Sequence, residues 1–187
     1  MVATDSFTLD LGGIHVEQDS LVGYPDNFLE QPFFGAGHIR CVAAQLGGAL
    51  AVWDATRDHL AVSGRVKDPH QASRLGAIVA DLEAAFSCVR EAYWRVARAI
   101  AWDAARDDPA TSLCADSARA AVEGMSDRIC ALAVRSVGCA GLMESHPLSR
   151  GVRDLMVYLR QPAPDAALTR LGTNAGLRDY RPNFDAA

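Results

Sequence analysis

Lysine is almost missing from this chain of 187 residues, since Lys67 is the only lysine among 18 basic residues. The arginines are spread along the chain beside 23 acidic residues, and the net charge is −5. Nucleic acids and anionic membrane surfaces bind proteins through a dense positive field. The composition therefore predicts neither a nucleic acid nor a membrane surface as a partner.

Cysteine pairs and long apolar runs are also lacking. The cysteines are odd in number and show no Cys-x-x-Cys spacing, so neither a disulfide framework nor a zinc knuckle is predicted. No run reaches the about 18 apolar residues that cross a bilayer, and no basic start followed by an apolar segment indicates a signal peptide. We therefore expect a reducing, cytoplasmic location.

Metal-binding patterns are missing too. The five histidines show neither His-Glu-x-x-His nor His-x-His spacing, so no metal site is predicted. A Cys–His nucleophile pair stays open, because its members meet in space and not along the chain. The alternative for Cys41, Cys88 and Cys130 is that they pack as small apolar residues.

What the sequence does contain is a set of amphipathic helix patterns. Apolar residues at three- and four-residue steps predict one helix over about 37–63 and a second over about 69–106. A third begins after Asp108-Pro109 and a fourth after Pro147. Short connections between them predict an all-α, up-and-down four-helix bundle over residues 33–172. Asp165 is expected to cap a last short helix that ends near Gly172, and 173–187 is expected to be a flexible tail.

The first 32 residues show a different pattern. Phe7, Leu9 and Leu11 alternate with polar residues, and Ile14 and Val16 resume the alternation, which predicts one or two β-strands. An isolated hairpin is marginal in water. The strands are therefore expected to pack on the helices or to pair with another chain, and residues 1–32 to be a β remnant with a linker.

The segment 135–154 departs from the helical pattern. Gly138 and Gly141 follow one helix and precede another that starts at a proline and is rich in arginine. Glycine permits a close backbone approach, and amides near a helix start suit an anionic group such as a diphosphate. A simple turn at the end of a helix is the alternative interpretation.

These residues resemble a known family. GCAGLMESHPLSRGVRD (138–154) resembles the Gly-Gly-x-Gly, Pro-x-x-Arg and Arg-Asp block near the C-terminus of acyl-CoA dehydrogenases. Arg40 with VAAQLGGAL is similar to the family's Arg-x-x-x-Ala-Ala helix, Arg65 to its flavin-contacting arginine, and Gln71 to the glutamine before its next helix. GIHVEQDSLVG (13–23) is similar to the last strand of the family's β domain.

The resemblance implies a C-terminal-domain-like helical bundle that supplies part of an FAD site and the contacts of a homodimer or homotetramer. Arg65 and Gln71 would face the flavin's phosphates or adenine, and Gly138, Cys139 and Gly141 would contact the dinucleotide through their backbone. The same resemblance gives Arg150, Arg153 and Asp154 a structural role as an ion-pair cluster.

The catalytic base of the family is not matched. A full-length member removes an α proton with a glutamate, and its two usual positions are occupied here by Pro162 and Ile39. Asp165 and His38 are the nearest possible substitutes, with a helix cap and a solvated helix start as their alternative roles. We therefore expect no ordinary acyl-CoA desaturation by this chain alone.

Two functions follow from these observations. The first is a flavoprotein oxidoreductase module, completed by a second copy or by a partner chain that carries the family's N-terminal and β domains. Its chemistry would be a desaturation or an oxygen-dependent reaction of monooxygenase type. The second is a non-catalytic helical oligomerisation module, degenerate or a fragment of a longer enzyme.

Overall fold

A computed structural model of the chain describes residues 7–27, 33–101, 109–161 and 163–177. The described residues form helices and no strand, which confirms the all-α fold class. The α-helices are α1 (Phe33–Val62), α2 (Pro69–Ala101), α3 (Pro109–Val137), α4 (Pro147–Leu159) and α5 (Pro164–Gly176), with short 3₁₀ helices at Gln18–Ser20 and Cys139–Leu142. Among the described helices, none is both long enough and apolar enough to cross a membrane.

Proline starts four of these helices, because its missing N–H is not needed in the first turn. Before Pro69, the carboxylate of Asp68 accepts hydrogen bonds from the backbone N–H groups of His70 and Gln71, both at 2.9 Å. These bonds lower the pKa of the Asp68 carboxyl, and the bond from Gln71 has the larger effect. The predicted starts of α2, α3 and α4 are confirmed, whereas the predicted end of α2 near Arg106 lies outside the described residues.

The first four helices run alternately up and down. Gln71 at the start of α2 meets Ser136 at the end of α3, and the Gln45 side chain on α1 meets the Tyr158 carbonyl at the end of α4. α5 lies beside α3, where Arg170 makes two hydrogen bonds of 2.9 and 2.6 Å to the buried Asp116 carboxylate. The bundle therefore has four antiparallel helices with a fifth added along α3.

The core is formed by the apolar stripes that the spacing predicted. On α2 the buried positions alternate three- and four-residue steps: Leu75, Ile78, Leu82, Ala85, Val89, Ala92, Val96 and Ala99. The Cys130 thiol lies in this core, and burial raises its pKa to about 11. A second, smaller cluster packs Ile39 against Ala92, Val96, Ala115 and Ala118. Both clusters continue the same helix faces, so one core runs along the bundle.

The end of α4 is held by two buried polar side chains. Gln45 Nε2 donates to the carbonyls of Tyr158 and Gln161 at 3.0 and 2.9 Å. Arg119, only 2% exposed, donates to the carbonyls of Leu159 and Gln161 and to the Glu123 carboxylate. A helix leaves its last carbonyls without internal partners, so these side chains from α1 and α3 supply them.

The β-strands predicted in the N-terminal residues are not formed in the described residues 7–27. Residues 7–27 contain the 3₁₀ helix Gln18–Ser20 and turns, such as the one in which the Ile14 N–H donates to the Leu11 carbonyl. The alternating apolar residues are all exposed, from 60% for Ile14 to 85% for Phe7. A strand forms only where a neighbouring strand takes up its hydrogen bonds, and the described part of the chain offers none.

The last helix also differs from the prediction. α5 begins at Pro164, so Asp165 lies inside its first turn and is not its N-cap. The helix continues past Gly172 to Gly176, beyond the predicted boundary of the bundle domain. A glycine on an exposed helix lowers helix propensity by only about 1 kcal/mol, which neighbouring residues offset. Most of the predicted flexible tail, residues 178–187, lies outside the described residues.

Candidate functional site

One end of the bundle collects all the residues predicted to bind a cofactor. We call it the loop end: it comprises the 63–68 connection, the first turn of α2, and residues 138–146 between α3 and α4. Arg65 and Gln71 come from the first two parts, and Gly138, Cys139 and Gly141 from the third. Antiparallel packing brings the third segment to the first two, although it lies more than 60 residues after them in the sequence.

Gln71 is the centre of a polar network at the loop end. Gln71 is 3% exposed. In the amide orientation that satisfies its neighbours, the side-chain oxygen accepts hydrogen bonds from Arg65 Nη2 at 2.6 Å and from Arg74 Nη1 at 3.3 Å. The amide nitrogen donates to Ser136 Oγ at 3.2 Å. Two guanidinium groups therefore converge on one oxygen at the surface of the bundle.

The backbone amides at the loop end are largely in use. Asp68 occupies the first amides of α2, while the N–H groups of Gly138 and Gly141 donate to the carbonyls of Val134 and Gly138. A 3₁₀ helix has no internal partner for its first amides, which here belong to Cys139 and Ala140. Of the predicted backbone contacts, Cys139 is thus the one placed to offer an N–H group.

Gly141 has a packing role. It is buried, and a Cβ atom placed on it would lie 2.8 Å from Val137 Cγ1 and 2.9 Å from Leu148 Cδ2. Gly138 has φ of 80°, a conformation that side chains rarely adopt, and open space where its Cβ would be. Gly141 therefore permits the close approach of α3 to α4, and Gly138 permits the left-handed backbone of the turn.

Two histidines join α1 to α4 beside this network. His59 Nδ1 lies 3.1 Å from His146 Nε2, and His146 Nδ1 accepts a hydrogen bond of 3.1 Å from the Leu148 backbone N–H. Because His146 Nδ1 is an acceptor, the proton of the neutral ring is on Nε2, which donates to His59. His146 thus caps α4 and ties it to α1 only while both rings are neutral.

Acid is expected to weaken this link. The pKa of His59 is lowered from its usual 6.5 by burial and then by His146 and Arg65. Between the lowered pKa of His59 in the folded protein and its usual value in the unfolded chain, the unfolded chain binds more protons. The free energy of unfolding therefore falls as the pH drops below about 6.5. Urea denaturation across this pH range would measure the loss. In the His59→Asn variant the loss is expected to be smaller. Equal profiles for His59→Asn and the wild type would contradict the assignment.

The two catalytic candidates lie at the opposite end of the bundle. His38 is in the first turns of α1, and Asp165 is in the first turn of α5. His38 and His59 are separated by 21 residues of one helix, which is about 30 Å. One copy of the chain therefore does not bring either candidate to the loop end. Ile39 is buried, and Pro162 lies outside the described residues.

The predicted ion-pair cluster on α4 is partly formed. Arg150 Nε lies 3.4 Å from Asp154 Oδ2, and Arg153 Nε donates to the Ser149 carbonyl at 3.2 Å. Both contacts are within α4, and exposed pairs of this kind contribute little to stability. They do not connect α4 to another helix.

Sequence reasoning missed several residues of the loop end. Arg74 follows Gln71 by one helical turn, a spacing that indicates a shared face, whereas no sequence pattern links His59 to His146 or Gln71 to Ser136. Within the described residues, no three His, Cys, Asp or Glu side chains group as metal ligands.

Comparison with protein-family models, with curated proteins and with solved structures finds no match for this chain. The likeness to acyl-CoA dehydrogenases therefore stays a prediction from the sequence motifs.

Proposed function

We propose that the loop end binds the diphosphate of FAD and that the chain is a flavoprotein module of acyl-CoA dehydrogenase type. The observation that carries the proposal is the convergence of Arg65 and Arg74 on the Gln71 amide. Two guanidinium groups a few ångströms apart match the spacing of diphosphate oxygens, which accept forked hydrogen bonds from arginine.

The donor set at the loop end fits such a group. A diphosphate oxygen would replace the Gln71 oxygen as the acceptor for Arg65, and the Cys139 amide would add a neutral donor from the turn between α3 and α4. The Gln71 amide, fixed by Ser136, would keep Arg74 in place. FAD, when bound, supplies the two-electron acceptor of the reaction.

The chain holds only part of the site in this proposal. Arg65 is exposed, so a bound dinucleotide would have one side open to solvent unless a second chain covered it. The two candidate bases for α-proton abstraction, His38 and Asp165, lie at the opposite end of the bundle from these arginines. The proposed role is cofactor binding and positioning, with the catalytic base supplied by another chain.

Titration of the purified full chain with FAD, followed by flavin fluorescence or calorimetry, tests the proposal. Arg65→Ala is expected to weaken binding about 10- to 100-fold, since a hydrogen bond to a charged group contributes about 1.5–3 kcal/mol. The matched control is Arg57→Ala, which removes the same charge from a half-exposed side chain paired with Asp54 and Asp58 on α1. It should bind FAD as the wild type does.

Two results would contradict the proposal. One is no FAD binding by the full chain at any concentration tested. The other is binding that Arg65→Ala and Arg57→Ala weaken equally, because that result would indicate a general charge effect and not a site at the loop end.

A non-catalytic oligomerisation module is the second candidate. The observation that favours it is the number of large apolar side chains exposed on one face of α2, among them Val79, Phe86, Tyr93 and Ile100. A colourless, folded oligomer that ignores added FAD would support this function over the first.

A further inference from the structure

The outer face of α2 carries a regular apolar stripe that the bundle does not cover. Val79, Phe86, Tyr93 and Ile100 recur at seven-residue intervals and are 41%, 53%, 54% and 42% exposed. A seven-residue repeat keeps side chains along the seam between two packed helices. The repeat lies beside the buried stripe, so α2 has one face for the core and a second one for a partner.

The full seam follows alternating steps of three and four residues. Its members are Ala72, Gly76, Val79, Glu83, Phe86, Arg90, Tyr93, Ala97 and Ile100, and we call them the α2 seam. Apart from Glu83 and Arg90, every member is apolar or small. The Arg90 guanidinium lies over the Phe86 ring, 5.7 Å from its centroid.

The order of residues in the α2 seam is self-complementary. If two α2 helices pack antiparallel about a two-fold axis at Phe86, Glu83 of each copy faces Arg90 of the other. The same alignment sets Val79 against Tyr93 and the small Gly76 against Ala97. Parallel packing would instead place Glu83 against Glu83 and Arg90 against Arg90, which like-charge repulsion disfavours.

We propose that the α2 seam is an isologous interface with a second copy of this chain, in which the two α2 helices pack antiparallel with Phe86 at the two-fold axis. Isologous contact between identical patches is the commonest way in which proteins form closed dimers. The interface lies on the outside of α2 and uses none of the network residues Arg65, Gln71, Arg74 and Ser136, so it does not depend on flavin binding.

Sedimentation of the full chain over a range of concentrations, without flavin, tests the interface. The wild type is expected to dimerise, with a mass about twice its 20.0 kDa. Glu83→Arg and Arg90→Glu should each raise the dimer dissociation constant at least about tenfold, because each opposes like charges across the seam. An equimolar mixture of these two variants should form heterodimers, and the double variant should form homodimers again.

Arg98→Glu is the matched control, since Arg98 is exposed on α2 outside the α2 seam. It should dimerise like the wild type. Phe86→Asp should be monomeric, with the wild-type helix content in circular dichroism. A wild type that is monomeric throughout, or a mixture of Glu83→Arg and Arg90→Glu that forms no heterodimer, would overturn the proposal.

Discussion

Arg119→Ala is expected to lower the free energy of unfolding by at least about 1–3 kcal/mol, the cost of leaving a buried acceptor without its donor. The Arg119 side chain is 3% exposed and lies 3.2 Å from the Glu123 carboxylate, which is 13% exposed. It also donates to the carbonyls of Leu159 and Gln161 at the end of α4. Truncation leaves the buried Leu159 carbonyl without its side-chain donor, whereas the Gln161 carbonyl keeps Gln45 and the Glu123 carboxylate keeps Arg160.

Urea denaturation followed by circular dichroism would measure this loss. Arg128→Ala is the matched control: the Arg128 side chain is 58% exposed and bonds to Asp81 on α2 at 2.7 Å. Exposed ion pairs contribute up to about 1 kcal/mol, so the control should remain close to the wild type. Equal losses for the two variants would show that the end of α4 does not depend on Arg119.

Gly141→Ala is expected to destabilise the fold by about 1–3 kcal/mol, as overpacking of a filled interior does. The added methyl would lie 2.8 Å from Val137 Cγ1 and 2.9 Å from Leu148 Cδ2, closer than carbon atoms pack. Leu148 is fully buried in the core, so its side chain and that of Val137 would have to shift within a filled interior. The denaturation midpoint should fall accordingly.

Gly172→Ala is the control, because its expected change in stability has the opposite sign. Gly172 lies on α5 with nothing within 4 Å of the position of its Cβ. Alanine there is expected to stabilise the protein by about 0.5–1 kcal/mol, because it reduces the conformational freedom of the unfolded chain. A stable Gly141→Ala variant would mean that the turn at Cys139–Leu142 adjusts without cost.

The His59–His146 pair shows how far sequence reasoning extends at the loop end. The sequence predicts where α1 ends and α4 begins, and antiparallel packing then places the two ends side by side. It does not say which two side chains meet, since 87 residues separate them and no spacing pattern relates them. The 3.1 Å contact follows from the rotation of each helix about its axis, which core packing decides.

Antiparallel packing also brings the predicted cofactor residues together. Arg65, Gln71 and the turn from Gly138 to Gly141 lie at connections between antiparallel helices, so helix order alone gathers them at one end. The backbone roles needed the structure, because only its hydrogen bonds show that the Gly138 N–H donates to Val134 in α3 and the Gly141 N–H to Gly138.

The helices of this protein, their proline starts and their apolar faces can be predicted from the amino-acid sequence, because they depend on local spacing. The short connections between the helices then predict the alternating bundle. The N-terminal residues have the spacing of a strand and form none, since a strand depends on hydrogen bonds from outside the segment. Tertiary structure alone decided the buried contacts of Arg119 and Gln45 with α4, the convergence of Arg65 and Arg74 on Gln71, and the histidine pair. Each of these joins residues whose distance is set by packing between helices and not by the period within one.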